Sequence, residues 1–272
     1  MNKNVAFIGA GNMNRCILIG MINGNFPSSS IMVTNPSPEK RQALANDYGV
    51  LEDSDNHKAV SFADVIILGV KPHLIKSVCA DIKANVDISG KCFVSVAAGV
   101  SIEQMQRVLG DDAKIVRCMP NTPSQLGVGM AGLLANNNAT TDDIEFIDSI
   151  FKAVGQTLWL KNEEEIDNLI TVSGSGPAYF FAFMEAMQKQ AMAFGFDKQT
   201  ARQLVQQTAL GAARMVVEND EDIDTLRANV TSKGGTTHAA VTTLLEGGLD
   251  DLVSEAMKNC KARAQEMTAS ND

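Results

Sequence analysis

The sequence contains few of the residues that mark disulfide-rich, metal-binding or membrane-spanning proteins. Its 272 residues include 5 cysteines and 3 histidines, which are scattered along the chain without close pairs. We therefore expect free, buried thiols in a reducing compartment and no metal site. No apolar run approaches the roughly 20 residues of a transmembrane helix, and no basic, then apolar leader precedes Val5. A cytoplasmic protein without membrane contact is expected.

Positive charge is also scarce, since 23 Lys and Arg residues face 32 Asp and Glu residues, for a net charge of -9. Such a chain lacks the positively charged surface of a nucleic-acid-binding protein, so we expect no nucleic-acid partner. An anionic cofactor can still bind, because local backbone N–H groups rather than bulk charge would hold it.

The first part of the chain alternates short β-branched runs with segments of helical spacing. This alternation predicts an α/β fold with a Rossmann-like, doubly wound sheet. The expected strands are Val5–Ile8, Ile31–Thr34, Val65–Gly69, Cys92–Val96 and Lys114–Cys118, followed by Val128–Leu134 and Thr157–Leu160. The expected helices are Asn12–Asn23, Pro38–Tyr48, Leu74–Asn85, Ile102–Leu109 and Thr141–Val154.

The pattern changes at the polar stretch that begins at Asn162, which predicts two domains, 1-162 and 163-272. Only helices are expected in the second domain, namely Pro177–Phe194, Lys198–Glu218, Thr236–Glu246 and Leu249–Met267. The tail Thr268–Asp272 is expected to fray. Several of these helices are apolar around most of their surface. They require burial either against a second subunit, which we favour, or against the first domain.

A strand enters a glycine-rich turn at Gly9–Met13, where a helix begins. Gly9 permits a tight turn, Gly11 lets the backbone approach a pyrophosphate, and the helix N-terminus offers free N–H groups to phosphates. A glycine turn alone is weak evidence, but its place after the first strand of a βαβ series indicates a dinucleotide site. Asn14 occupies the position where Gly or Ala is usual, which suggests a wider contact between helix and strand.

The second strand ends without the acidic residue that binds the ribose of NAD. Asn35 and Ser37 can instead donate to a 2′-phosphate, and Lys40 or Arg41 can supply charge. This pattern predicts NADPH as the preferred cofactor, with NADH as an alternative. The competing interpretation is that the segment after Thr34 only forms a turn and does not discriminate between cofactors.

Other loops carry small or polar residues where a ligand could bind. Val70-Lys71-Pro72-His73 and Ala97-Ala98-Gly99 follow two further strands and are expected to line the cofactor cleft, with Lys71 more structural than catalytic. Ser173–Tyr179 suits a capped helix start. The N–H groups of Gly234, Gly235 and Thr236 are expected to converge as a carboxylate or phosphate site before a helix.

Together these segments resemble, in order, the motifs of the pyrroline-5-carboxylate reductase family. The matching motifs are Gly9–Met13, Val70–His73, Ala97–Val100, Arg117–Pro123, Ser173–Tyr179 and Ser232–Thr237. The resemblance implies NAD(P)H-dependent reduction of the C=N bond of 1-pyrroline-5-carboxylate to L-proline, the final step of proline biosynthesis. It also implies a C-terminal helical domain for substrate binding and dimerisation, and a homodimer that can assemble into larger rings such as decamers.

The resemblance also implies which residues form the site. The cofactor contacts that it implies are Gly9, Ala10, Gly11, Asn12, Met13, Asn35, Asn56, Val70, Lys71, Pro72, Ala97 and Ala98. The substrate contacts that it implies are Ser232, Gly234, Gly235, Thr236 and Thr237, and we expect Thr237 to be the catalytic residue that hydrogen-bonds the ring nitrogen. Asn14 and Lys233 depart from the family pattern.

Two other functions fit parts of the sequence. A β-hydroxyacid dehydrogenase has similar domains but needs a lysine on the helix after a Gly-Gly loop, whereas the helix after Pro177 offers only Lys189, far from its start. A non-catalytic NADPH sensor would keep the glycine-rich turn but would not need the loop around Gly234.

Overall fold

The computed structural model describes residues 3–271, which form two compact units. The first unit contains the chain up to Ser175 together with the C-terminal segment from Cys260, and the second contains Gly176–Asn259. Within the described residues no helix has both the length and the apolar character needed to cross a bilayer.

The first unit is built on one eight-stranded sheet in the order β3-β2-β1-β4-β5-β6-β7-β8. The strands are β1 (Val5–Ile8), β2 (Ile31–Thr34), β3 (Leu51–Asp53), β4 (Val65–Leu68), β5 (Cys92–Ser95), β6 (Lys114–Met119), β7 (Gly129–Ala135) and β8 (Gly155–Trp159). All neighbouring pairs are parallel except β6 and β7. The predicted α/β fold with a Rossmann-like, doubly wound sheet is confirmed.

Helices cover both faces of the sheet. They are α1 (Asn12–Asn23), α2 (Pro38–Tyr48), α3 (Asn56–Phe62), α4 (Pro72–Asn85), α5 (Ile102–Leu109), α6 (Thr141–Lys152) and α7 (Glu163–Leu169). Successive residues of β1 enter two different cores, since Val5 and Phe7 pack with α1 and α6, while Ala6 and Ile8 pack with α3, α4 and α5. Alternate side chains of a strand point to opposite faces, so a strand covered on both sides is apolar throughout.

The sequence pattern missed β3 and three short helices, namely α7, the helix at Ile223–Asn229, and α3, which follows β3 in the chain. The strand has only three residues, two of them acidic, and it lies at the edge of the sheet beside β2. The helix has seven residues and starts at the N-cap Asp55, whose carboxylate accepts a hydrogen bond from the His57 N–H. Such short elements carry too few apolar residues for a periodic signal.

The second unit contains α8 (Gly176–Ala193), α9 (Lys198–Val217), α10 (Ile223–Asn229) and α11 (Thr236–Glu246), and α12 (Leu249–Ser270) begins in it and ends in the first unit. Asp197 caps α9 as expected, accepting from the N–H groups of Gln199 and Thr200. The expectation that the tail frays from Thr268 is wrong as far as Asn271, because α12 continues to Ser270 and Asn271 makes a tertiary hydrogen bond to Gly99; Asp272 lies outside the described residues.

Candidate active site

The carboxyl ends of β1 and β4 lie side by side where the strand order changes direction. Ile8 is paired with Leu68, and the chain leaves the two strands through Gly9 and Gly69. Gly9 has a φ of +98°, and a Cβ built on it would lie 2.9 Å from the Gly69 carbonyl oxygen. Both the backbone conformation and the lack of space therefore require glycine here. Doubly wound sheets bind their ligands in a crevice of this kind.

Helix α1 begins in this crevice without a side-chain cap. Gly11 is the N-cap residue, so the N–H groups of Asn12 and Met13 have no acceptor within the helix. A Cβ on Gly11 would meet only the Gly69 carbonyl oxygen, at 3.6 Å, so the turn is otherwise open. The turn can thus offer backbone N–H groups and the positive end of the helix dipole to a pyrophosphate.

Asn14 fills the space beneath the turn that usually belongs to a smaller residue. Its side chain is buried, and Nδ2 donates to the carbonyl oxygens of Gly9 at 2.8 Å and Ile8 at 3.2 Å. A Cβ on Gly69 would lie 2.2 Å from Asn14 Oδ1, so the glycine makes room for the amide. Asn14 therefore fixes both carbonyl groups at the exit of β1 and positions the turn that follows.

Two asparagines lie beside the turn at the tip of β2. Asn35 Oδ1 accepts from the Ala10 N–H at 3.1 Å, and its Nδ2 donates to the Ser37 carbonyl oxygen at 3.2 Å. Asn56 begins α3, and its Oδ1 accepts from the Thr34 hydroxyl at 2.6 Å. The Asn35 side chain thus shapes the glycine-rich turn itself, which leaves it one free donor for a ligand.

The two cations beyond β2 differ in their availability. Arg41 donates to Glu52 at 2.5 Å and to the Asn35 carbonyl oxygen at 3.0 Å, and its side chain is only 13% exposed. Lys40 is exposed and forms no ion pair within the described part of the chain. Glu52 therefore offsets the charge of Arg41, whereas the charge of Lys40 is not offset by an ion pair in this part of the structure.

Two more loops border the crevice at the ends of β4 and β5. Lys71 is the N-cap residue of α4 and is exposed, and Pro72 takes the first helical position. Ala97 is buried and Ala98 half-buried, while the Val96 N–H donates to the Leu68 carbonyl oxygen at 3.1 Å and ties the two loops together. Ala97 and Ala98 carry no polar side-chain atoms, so they can contact a ligand only through backbone and methyl groups.

The Ser232–Thr237 loop belongs to the second unit and forms a tight turn before α11. The Gly235 N–H donates to the Ser232 carbonyl oxygen at 3.0 Å, and Gly234 between them has a φ of +77°. A Cβ on Gly235 would lie 2.7 Å from Ser232 Oγ, which can rotate away, and 3.1 Å from the Ser232 carbonyl oxygen, so this position has little spare room. The loop and Thr237 are largely exposed to solvent.

The donors of this loop differ from the expected set. The prediction that the Gly235 N–H is free is wrong, because the turn that Gly234 permits uses it. Gly235 is the N-cap residue of α11 and provides no side-chain cap, so the N–H groups of Thr236 and Thr237 have no acceptor within the helix. The candidate anion site thus lies one residue further along the chain.

Known proteins resemble the chain along its whole length. Residues 163–267 match the family model for pyrroline-5-carboxylate reductase dimerisation, and residues 4–99 match the model described as NADP oxidoreductase coenzyme F420-dependent. A pyrroline-5-carboxylate reductase of Vibrio alginolyticus is 48% identical, covering 98% of both chains. The chain belongs to the pyrroline-5-carboxylate reductase family.

Two solved structures of this reductase family show the same fold. The Coxiella burnetii pyrroline-5-carboxylate reductase has a TM-score of 0.94 at 40% identity, covering 98% of this chain and 99% of that one. The Plasmodium falciparum pyrroline carboxylate reductase, solved with NADP bound, has a TM-score of 0.87 at 27% identity, covering 98% of each chain. The family model for dimerisation includes the Ser232–Thr237 loop.

The sequence did not indicate a role for Arg117 and Asn121, two residues of the Arg117–Pro123 motif. Arg117 is 2% exposed and pairs with Glu163, whose other carboxylate oxygen accepts from the Ile102 N–H. Asn121 Nδ2 donates to the Ser173 carbonyl oxygen at 3.0 Å, while its Oδ1 accepts from the Met130 N–H. Both side chains therefore join separate loops, and no local pattern in the sequence indicates their partners.

Burial shifts the pKa of two thiols and of one carboxyl in the first unit. Burial raises the pKa of the Cys79 and Cys92 thiols to about 12, so they remain protonated near neutral pH. Burial also raises the pKa of the Asp167 carboxyl, against the opposing effect of Arg117. Within residues 3–271 no group of acidic, His and Cys side chains could hold a metal ion.

Proposed function

We propose that the chain reduces the C=N bond of 1-pyrroline-5-carboxylate to L-proline with NADPH, the final step of proline biosynthesis. The observation that carries this proposal is the near-full-length similarity to named pyrroline-5-carboxylate reductases. The glycine-rich turn at the switch point between β1 and β4 supports it independently, because that turn suits a dinucleotide.

NADPH, when bound, supplies the hydride that reduces the imine carbon. Gly9–Met13 hold the pyrophosphate through backbone N–H groups, and the loops at Val70–Pro72 and Ala97–Ala98 border the rest of the cofactor. Asn35 and Asn56, at the end of β2 and the start of α3, would contact the adenosine ribose. The residues present therefore fit a dinucleotide in this crevice.

The substrate is a small cyclic imine that carries a carboxylate. The N–H groups of Thr236 and Thr237 bind the carboxylate at the start of α11, where the helix dipole favours negative charge. Ser232 adds a hydroxyl, and Gly234 and Gly235 keep the turn narrow. The Thr237 hydroxyl hydrogen-bonds the ring nitrogen and either orients it or relays to it a proton that solvent supplies, so most of the catalysis is positioning.

A substrate panel tests the proposal. Loss of NADPH absorbance with 1-pyrroline-5-carboxylate, and no gain of NADPH absorbance with NADP and 3-hydroxyisobutyrate, would support it. The reverse result would favour a β-hydroxyacid dehydrogenase, although Lys189 is tied to Glu185 in an exposed ion pair at 2.7 Å. NADPH binding without turnover of either substrate would indicate a sensor.

Lys40 sets the preference for NADPH over NADH. A charge-assisted hydrogen bond to the 2′-phosphate is worth roughly 1.5–3 kcal/mol, so we expect Lys40→Ala to raise the KM for NADPH about tenfold and to leave that for NADH unchanged. Lys58→Ala is the matched control, since Lys58 is an exposed lysine that pairs with Asp53. Equal changes with both cofactors would disprove the role of Lys40.

The second unit mediates formation of a homodimer. Its helices expose large apolar side chains, and Phe180 and Phe181 on α8 are 70% and 63% exposed. A carboxylate within such an interface is expensive to bury, so we expect Phe180→Asp to shift the molecular mass in light scattering from dimer to monomer. Leu126→Asp is the control, because Leu126 is 82% exposed in the first unit. A monomeric wild-type chain would disprove the dimer.

Assembly into decamers, the cytoplasmic location and the domain division at residue 162 stay predictions.

A further inference from the structure

The last turn of α12 lies directly on the Ala97–Gly99 loop. Gly99 has a φ of +69°, and a Cβ built on it would lie 3.1 Å from Asn271 Nδ2 and 3.3 Å from Met267 Cβ. Residues from Cys260 onward belong to the same compact unit as this loop. The loop therefore has the end of α12 as a fixed neighbour.

Asn271 makes the connection with both hydrogens of its amide nitrogen. Nδ2 donates to the Gly99 carbonyl oxygen at 2.9 Å and to the Met267 carbonyl oxygen at 3.0 Å. The Met267 carbonyl lies in the last turn of α12, where carbonyl groups lack partners within the helix. The Ser270 hydroxyl donates to the same oxygen at 2.9 Å, so both side chains bond the helix end, but Asn271 also holds the loop.

Gln104 of α5 makes a second connection to the same turn. Its Nε2 donates to the Thr268 carbonyl oxygen at 2.9 Å, while its Oε1 accepts from the Ser101 N–H at 2.8 Å. Ser101 caps α5, which follows the Ala97–Gly99 loop. The end of α12 is therefore bonded to the chain on both sides of Val100.

We propose that Asn271 and Gln104 are positioning residues that hold the Ala97–Gly99 loop in its cofactor-binding conformation. This inference rests on the proposed function, which assigns Ala97 and Ala98 to the cofactor. Ala97, Ala98 and Gly99 have no side chain beyond Cβ with which to anchor themselves. The Ala97 N–H donates to Ser95 Oγ at 3.3 Å, and at the other end of the loop the Gly99 carbonyl oxygen accepts from Asn271.

The test replaces Asn271 with leucine, which has a similar shape and no donor. We expect Asn271→Leu to raise both the Kd of NADPH, measured by its fluorescence, and the KM for NADPH about five- to tenfold, since one hydrogen bond contributes roughly 1 kcal/mol. The KM for 1-pyrroline-5-carboxylate and the Tm should change little. Ser270→Ala is the matched control, because the Ser270 hydroxyl bonds only to Met267 within α12.

Gln104→Glu provides an independent variant, since it keeps the acceptor for Ser101 and removes the donor to Thr268. Ser270→Asp controls for its added charge. The proposal is overturned if Asn271→Leu leaves the Kd of NADPH within twofold of wild type, or if both KM values and the Tm worsen together. Wild-type protein that binds NADPH but does not turn over the imine would instead disprove the proposed function, while the Kd comparison would still test this inference.

Discussion

Gly9→Ala is expected to lower kcat/KM for NADPH by at least about a hundredfold. The alanine methyl group would lie 2.9 Å from the Gly69 carbonyl oxygen and 3.2 Å from its carbonyl carbon, and the φ of +98° is unfavourable for any side chain. The turn must move, which displaces the N–H groups that bind the pyrophosphate. Loss of two such charge-assisted bonds, at roughly 1.5–3 kcal/mol each, accounts for this factor.

Gly90→Ala separates crowding from backbone strain. Gly90 has a φ of +76°, but a Cβ there would have no atom within 4 Å. We expect that variant to lose about 1 kcal/mol of unfolding free energy and to keep its kcat/KM. Steady-state kinetics together with thermal unfolding of both variants check the comparison. Comparable losses of activity in the two would mean that strain alone, and not the contact with Gly69, explains the effect.

The buried strands were predictable because they carry their own signal. Val5–Ile8 and Val65–Leu68 are apolar at every position, as a strand covered on both faces must be. The edge strand Leu51–Asp53 has no such signal. Because this strand was missed, the ion pair between its Glu52 and Arg41 was missed as well. From the sequence alone, Arg41 had therefore been considered as a partner for a phosphate.

The site shows the same division between local and distant causes. The positive φ of Gly9 and the uncapped start of α1 follow from a local motif and could be expected from it. The role of Asn14 could not, because the residue that accommodates it is Gly69, which follows a different strand. The contact of Asn271 with Gly99 is equally distant, and local composition at the C-terminus suggested only fraying.

Thr237→Ala is expected to lower kcat by about ten- to a thousandfold, within the range of a lost positioned donor. Thr237 is the second residue of α11, so its own N–H group is one of the two proposed to bind the carboxylate. A ring held there by its carboxylate needs a second fixed point to orient the imine. Removal of the hydroxyl leaves the carboxylate site intact, so the KM for the imine should change less than kcat.

Two further variants of Thr237 distinguish the hydroxyl from the shape of the side chain. Thr237→Val keeps the branched shape without the donor and should lose as much kcat as the alanine variant, whereas Thr237→Ser should keep most of it. Thr243→Ala controls for changes in the helix, because Thr243 Oγ1 donates only to the Ala239 carbonyl oxygen of α11. Steady-state kinetics with saturating NADPH measure all four variants. Full turnover in Thr237→Val would exclude the hydroxyl from the reaction and leave the backbone N–H groups as the contribution of this loop.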